Sequence, residues 1–126
     1  MALLGFTVFK EKILYGNKRQ TIRKLRKTPI KKGERLHLYW HLRQRDCESL
    51  GSWTCMETFF VKLFFTPLVI QILNDAHGYG VRNMTDEEAL DLAKRDGFTS
   101  VQELFTTLER MHGPQDGSQV FQVIRW

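Results

Sequence analysis

The 126-residue sequence predicts an α+β fold, a small β-barrel with short helices packed on its outside. Two patterns predict it. Segments of alternating or nearly continuous apolar residues recur from the first residues to the last, and two capped helical segments follow one another late in the chain. The order strand, helix, several strands, two helices, strand suits a barrel that buries one face of each helix. The length fits a single domain covering residues 1–126.

Four segments carry the strand prediction. The apolar stretch Met1–Phe9 lacks the preceding basic region of a secretory signal and is predicted to be the first strand. Glu34–Leu42 alternates apolar and polar residues, which predicts a strand with one buried face, and its Trp40 shares the buried parity. Glu57–Phe65 is apolar enough to contact the rest of the protein on both faces. Val120–Trp126 is predicted to return as the last strand.

Three segments carry the helix prediction. Apolar residues at helical spacing in Phe9–Leu14 are followed by a glycine, which favours a short helix with a left-handed end. A capping box, Thr85-x-x-Glu88, opens a second helix that Gly97 ends. The same spacing recurs at Ser100 and Glu103, and it predicts a third helix that ends at Gly113.

The charge of the chain is polarised. From Lys10 to Arg35 there are eleven basic and two acidic residues, a net charge of +9, whereas the remainder carries −4. Concentrated lysine and arginine favour a phosphate-bearing partner such as RNA, although such a run can also be only a solvated face. The candidate phosphate contacts are Arg19, Arg23, Lys24, Arg26, Lys27, Lys31 and Lys32. Tyr15 and Tyr39 are the candidate base-stacking residues.

The spacing Gly-x-Lys-x-x-Thr-x-Arg, from Gly16 to Arg23, resembles the signature of ASCH domains in the PUA-like superfamily. Three further stretches resemble family segments in the same order: the turn Pro29–Leu36, the stretch Asp96–Ser100 before a helix, and the closing strand Phe121–Trp126. The resemblance covers nearly the whole chain. It implies a PUA-like β-barrel that associates with RNA or with a modified nucleoside.

The resemblance extends to a branch of bacterial enzymes that hydrolyse the amide of N4-acetylcytidine with a lysine, a threonine and a carboxylate. By position these are Lys18, Thr21 and Asp96. Thr21 would supply the nucleophilic hydroxyl, a desolvated Lys18 would take its proton, and Asp96 would orient or protonate. Those enzymes carry glutamate where this chain has aspartate, a difference of one methylene, about 1.5 Å. Alternatively, Asp96 satisfies a helix end, and Lys18 and Thr21 shape a turn or contact phosphate.

Three functions therefore compete. The first is a module that binds RNA or a modified nucleoside in a cleft between the signature and the Asp96 loop. The second is a hydrolase, either an amidohydrolase acting through Lys18, Thr21 and Asp96 or a single-strand ribonuclease. The third is a domain that recruits protein partners. Binding ranks first because it requires only charge and shape, whereas hydrolysis requires exact placement of the reacting groups.

The sequence gives no reason to expect a metal or another cofactor. His37 and His41 share a strand face, but four strand residues separate them by roughly 13 Å, too far for one ion. His77 and His112 are isolated in the sequence.

The two cysteines, Cys47 and Cys55, are symmetric about Gly51. They would face each other if Gly51 lay at a hairpin tip, a geometry that permits a disulfide. No stretch is apolar over the roughly 20 residues that a membrane helix requires. We expect a cytoplasmic protein without a membrane partner, in which both thiols stay reduced.

Overall fold

The computed structural model describes residues 1–75 and 80–126, and over these residues the chain forms eight strands and three helices. The α+β class predicted from the sequence is confirmed. In chain order the elements are β1 (Ala2–Phe6), α1 (Lys10–Leu14), β2 (Gln20–Lys24), β3 (Arg35–Trp40), β4 (Glu48–Thr54), β5 (Glu57–Phe65), β6 (Leu68–Leu73), β7 (Gly80–Asn83), α2 (Asp86–Arg95), α3 (Val101–His112) and β8 (Asp116–Arg125).

The strands form two sheets. One has three strands in the order β1-β3-β4, with β1 parallel to β3 and β3 antiparallel to β4. The other has five strands in the order β2-β8-β5-β6-β7, and every pairing within it is antiparallel. The described strands thus lie in separate sheets of three and five, not in one continuous closed ladder.

The predicted helices are confirmed, together with their caps. The Thr85 side chain accepts a hydrogen bond from the Glu88 amide while the Glu88 carboxylate accepts one from the Thr85 amide, which completes the capping box of α2. Ser100 caps α3 by accepting from the Glu103 amide. The Glu103 carboxylate, however, accepts from the amide and hydroxyl of Thr99, so the second box is only half formed.

The predicted strands are also confirmed, with small differences at their ends. Glu57–Phe65 is β5 without change. The strand predicted over Glu34–Leu42 stops at Trp40, because His41 and Arg43 adopt positive φ angles of 46° and 67° and turn the chain. Trp40 is half-buried and packs against the core, on the parity that the sequence predicted.

The condition for a Cys47–Cys55 disulfide is not met, because Gly51 does not lie at a hairpin tip. Gly51 lies in the middle of β4, paired with Leu38 of β3, at a point where a β-carbon would stand 2.8 Å from the Trp53 ring. Cys47 and Cys55 therefore flank the two ends of this strand, about 25 Å apart at ordinary strand rise. Both are free thiols, Cys47 exposed and Cys55 buried.

Strand β8 separates two hydrophobic cores. Its Phe121 and Val123 side chains enter the core that packs against α2 and α3, whereas Ile124, together with Trp126 just after the strand, enters the core beneath β1 and β3. Successive side chains of a strand point to opposite faces, so one strand supplies both cores.

Buried Gln122 lies on the same strand and fixes the loop that leads into β3. Its amide donates to the Ile30 carbonyl at 2.6 Å, and its carbonyl accepts from the Ile30 amide at 3.2 Å. The amide also donates to the Thr58 hydroxyl at 2.8 Å. The side chain thus pairs with the Ile30 backbone as a neighbouring strand would, and it holds the basic loop against the protein.

Two arginine side chains fasten the free edge of β1. Arg23 on β2 donates to the Gly5 carbonyl at 2.6 Å, and Arg26 just beyond it donates to the Leu3 carbonyl at 3.1 Å. Because β1 pairs only with β3 among the described strands, these bonds join the two sheets where no backbone ladder does.

We expect Gln122→Leu to lower the free energy of unfolding by roughly 2–4 kcal/mol, since it leaves two buried backbone groups of Ile30 without partners. Chemical denaturation measures the loss, and amide exchange should accelerate at Ile30. Gln44→Leu, at an exposed glutamine, is the matched control. Equal stabilities of the two variants would contradict this role of Gln122.

Candidate functional site

The turn after α1 places Lys18 in the interior. Gly16 has a φ of +80°, and the amides of Asn17 and Lys18 both donate to the Lys12 carbonyl, at 2.8 and 3.0 Å. These two hydrogen bonds reverse the direction of the chain within a few residues of the helix end. As a result the Lys18 side chain runs inward, and the residue is only 3% exposed.

Lys18 meets Asp96 in this interior. Its ammonium group lies 3.1 Å from Asp96 Oδ2 and 2.6 Å from the Asp96 backbone oxygen. Asp96 is the residue that ends α2, and it is 7% exposed. The turn after α1 and the segment that follows α2 are therefore in direct contact at these two residues.

Gln20 holds the other carboxylate oxygen. Its amide donates to Asp96 Oδ1 at 3.1 Å and to the Leu92 carbonyl at 3.0 Å, and its own carbonyl accepts from Arg125 Nε at 2.9 Å. Arg125 in turn pairs with exposed Glu57 at 3.2 Å. A chain of polar contacts thus runs from buried Lys18 to an exposed carboxylate at the surface.

The sequence analysis missed Gln20. It is fully buried and shares its strand parity with buried Ile22. A polar residue on the buried parity of a strand requires internal partners, and this signal could have identified it.

Thr21 and Arg23 form a second pair beside the first. Arg23 Nε donates to the Thr21 hydroxyl oxygen at 3.0 Å, and the guanidinium carbon lies 4.8 Å from the centre of the Phe6 ring. Because the Thr21 oxygen accepts this bond, its hydroxyl proton can be donated in another direction. Two of the three guanidinium nitrogens of Arg23 are bonded within the protein, the second of them to Gly5.

Burial shifts the pKa of both cations. Desolvation lowers the pKa of Lys18; the Asp96 carboxylate opposes the shift, while the positive charges of Arg23 and Lys12 reinforce it. Desolvation also lowers the pKa of Arg23, to about 10, with a further contribution from nearby Arg26. The site therefore holds an amine that gives up its proton more readily than an exposed lysine does.

These groups line a cleft of about 280 Å³ that also has aromatic walls. Phe6, Phe9 and Phe98 supply the walls, and the Lys18 ammonium lies 5.9 and 5.6 Å from the centres of the first two rings. Lys18, Thr21, Arg23 and Asp96 supply the polar part of the lining. The sequence analysis brought these four residues together but missed the phenylalanines.

The backbone of Phe9 has a strained conformation. Its φ of 64° is left-handed, which costs a residue other than glycine about 1–2 kcal/mol. The ring packs edge-on against Phe98 at 5.0 Å and covers Gly97, where a β-carbon would stand 3.2 Å from it. The strain places an aromatic wall over the loop that carries Asp96.

The other sequence-predicted residues lie outside this cleft. Tyr15 is exposed and Tyr39 is half-buried on β3, and neither lines the cleft. Apart from Arg23, the candidate phosphate contacts are exposed side chains outside it: Arg19, Lys24, Arg26, Lys27, Lys31 and Lys32. The basic segment therefore splits into Lys18 and Arg23 in the cleft and a group of cations on the outer surface.

The histidines have other surroundings. His37 Nδ1 lies 2.7 Å from the Ser52 hydroxyl, His41 Nδ1 lies 2.6 Å from Asp46, and His77 lies outside the described residues. Within residues 1–75 and 80–126, no three His, Cys, Asp or Glu side chains gather as a metal would require. None of the helices over the same residues is both long and apolar enough to cross a membrane.

Comparison of the chain with protein-family models, with curated proteins and with solved structures found no match in any of the three.

We expect the stability that Lys18 contributes to rise with pH. Between its lowered folded pKa and the unfolded value of 10.5, the unfolded chain binds more protons than the folded one, so raising the pH favours folding. The difference in free energy of unfolding between wild type and Lys18→Met should therefore increase toward pH 10.5, by at most about 1.4 kcal/mol per pH unit.

Denaturant titrations at several pH values measure this difference. Lys27→Met, at an exposed lysine of the same basic segment, gives the background from surface charge. A wild-type advantage over Lys18→Met that stays flat or falls as the pH rises would show that burial does not disfavour the charged amine.

Proposed function

We propose that this protein binds a nucleoside in the Lys18–Asp96 cleft, either free and modified or as part of single-stranded RNA. The observation that carries the proposal is a buried, hydrogen-bonded polar floor between aromatic walls. Aromatic side chains stack against nucleobases of any sequence, and polar groups at the end of such a slot read the edge of the base.

The floor offers the two kinds of group that a base edge requires. The Thr21 hydroxyl retains a proton to donate, and the Asp96 carboxylate oxygens accept hydrogen bonds. A cytosine edge presents an amine or amide nitrogen beside acceptors, and it complements such a mixed floor. Lys18 balances the charge of Asp96, so the charge that remains on the floor is that of Arg23.

We also propose that the chain is a PUA-like domain of the ASCH family. The resemblance from Gly16 to Arg23 suggests it, and the meeting of Lys18, Thr21 and Asp96 in one cleft supports it. In that reading the two sheets are the halves of the family's barrel, joined in part by the arginine side chains at the edge of β1.

A first test is the binding of cytidine and N4-acetylcytidine, followed by calorimetry or by NMR titration. We expect Thr21→Val, which keeps the shape and removes the hydroxyl, to weaken binding roughly five- to tenfold, about the free energy of one hydrogen bond. Thr21→Ser should retain binding. Thr28→Val, at an exposed threonine, is the matched control. If neither nucleoside binds the wild-type protein, the proposal fails.

Hydrolysis of N4-acetylcytidine is a second candidate, and the lowered pKa of Lys18 favours it. The neutral amine would take the Thr21 proton as the hydroxyl oxygen attacks the amide carbonyl. The acetyl group would pass to Thr21 as an ester, and the departing N4 amine would receive the proton. Water would then hydrolyse the ester and regenerate the hydroxyl. Asp96 and Gln20 would hold the amine in place.

For this candidate we expect Lys18→Ala to abolish deacetylation, because Lys18 is the lysine that lines the cleft together with Thr21. Asp96→Glu, which restores the carboxylate of the enzyme branch, should preserve or raise the rate. Chromatography of N4-acetylcytidine and cytidine measures both. The absence of turnover above buffer for wild type and for Asp96→Glu would leave the cleft a binding site only.

A further inference from the structure

A second cavity lies next to the cleft. A groove of about 490 Å³ runs beside α3, and its lining shares five residues with that of the cleft: Val8, Phe9, Phe98, Thr107 and Arg110. The two cavities are therefore adjacent, and Arg110 is one of the residues at their common wall. A ligand whose base lies in the cleft and whose sugar points toward this wall would bring a phosphate on the sugar to Arg110.

The cations of the cleft floor are already engaged. Lys18 is paired with Asp96, and Arg23 donates to Thr21 and Gly5. Lys18 cannot turn to a strongly charged group without giving up its internal bonds, and among the described residues Arg23 keeps only one guanidinium nitrogen, Nη1, outside its bonds to Thr21 and Gly5. A phosphate held by a whole guanidinium fork would need a different partner.

Arg110 is a suitable partner for a phosphate at this wall. It lies in the last turn of α3, is exposed, and lines both the cleft and the groove. Over the described ranges it has no salt bridge and no side-chain hydrogen bond. An arginine fork that is not bonded within the protein can bind two phosphate oxygens at once.

The surrounding charge is consistent with an anion at this end of the helix. Nearby Lys24 and Arg23 add to burial in lowering the pKa of His112, two residues beyond Arg110, so their positive field reaches this turn. Glu103 is the acidic residue in the lining of the groove, and its carboxylate accepts a hydrogen bond from the Thr99 amide. Two helical turns separate it from Arg110, about 10 Å along the axis. Exposed Glu109 adjoins Arg110 in sequence, on a different side of the helix.

We propose that Arg110 forms a phosphate subsite, and that the preferred ligand of the cleft is a phosphorylated nucleoside. This inference rests on the proposed function of the cleft. The shared chemistry is a phosphate ester on the ribose, which can belong to a free nucleotide or to an RNA strand that continues along the groove. The subsite is distinct from the basic segment, whose exposed residues lie outside both cavities.

The test compares cytidine, its 5′- and 3′-monophosphates, and a cytidine trinucleotide, each titrated into wild type and Arg110→Gln. We expect a monophosphate to bind wild type about tenfold more tightly than cytidine, the difference that one charge-assisted contact makes. Arg110→Gln should remove that advantage, so that a monophosphate and cytidine bind the variant equally. Arg45→Gln, at an exposed arginine that lines neither cavity, should keep it.

The outcomes of these titrations distinguish failure of the phosphate subsite from failure of the nucleoside proposal. Cytidine that binds wild type as tightly as every phosphorylated ligand would overturn the subsite and leave the nucleoside proposal intact. A phosphate advantage that survives in Arg110→Gln would also overturn it. The absence of binding by all the ligands would overturn the cleft itself. A gain for the trinucleotide beyond that of either monophosphate, lost in Arg110→Gln, would identify an RNA strand as the source of the phosphate.

Discussion

The ion pair between Lys18 and Asp96 is the interaction on which the rest of the site depends. Removing two charges from water costs several kcal/mol per ion, and their attraction repays this cost only when the remaining hydrogen-bonding capacity is also satisfied. Here each ion of the pair has a further hydrogen-bonding partner. The ammonium group has a backbone oxygen as a second acceptor, and the carboxylate has Gln20 as a second donor. The pair joins the turn after α1 to the end of α2. The same interaction therefore forms the polar part of the site and holds the end of α2 against this turn.

The aromatic walls depend on the same meeting of segments. Phe9 precedes α1 and Phe98 follows α2, and the two rings touch at the junction where the ion pair also lies. The left-handed backbone of Phe9 is a local cost that this packing offsets. Polar floor and apolar walls thus arise from one junction between the first and the second helix. A change that loosens this junction would disturb shape and electrostatics together.

The parts of the fold that depend on local pattern could be predicted from sequence. The helices are marked by Thr85 and Ser100, and β5 by its continuous apolar run, because caps and periodicity act within a few residues. Long-range relations could not be predicted in this way. The symmetry of two cysteines about Gly51 suggested a turn, whereas the close approach of Trp53 explains the glycine within a strand. Gln20 was missed because its partners lie more than seventy residues away. The positive charge of the segment marked Arg23 as a candidate phosphate contact, but it could not show that Arg23 is hydrogen-bonded to Thr21 and Gly5 within the protein.

The two arginines at the edge of β1 have one more consequence. A strand with free carbonyls invites a strand from another molecule to pair with it, and such edges are common starting points for aggregation. The carbonyls of Leu3 and Gly5 accept from Arg26 and Arg23, and charged guanidinium groups stand where an incoming strand would have to lie. Residues that look in sequence like part of a nucleic-acid surface therefore also occupy the edge where a strand of a second copy would otherwise pair.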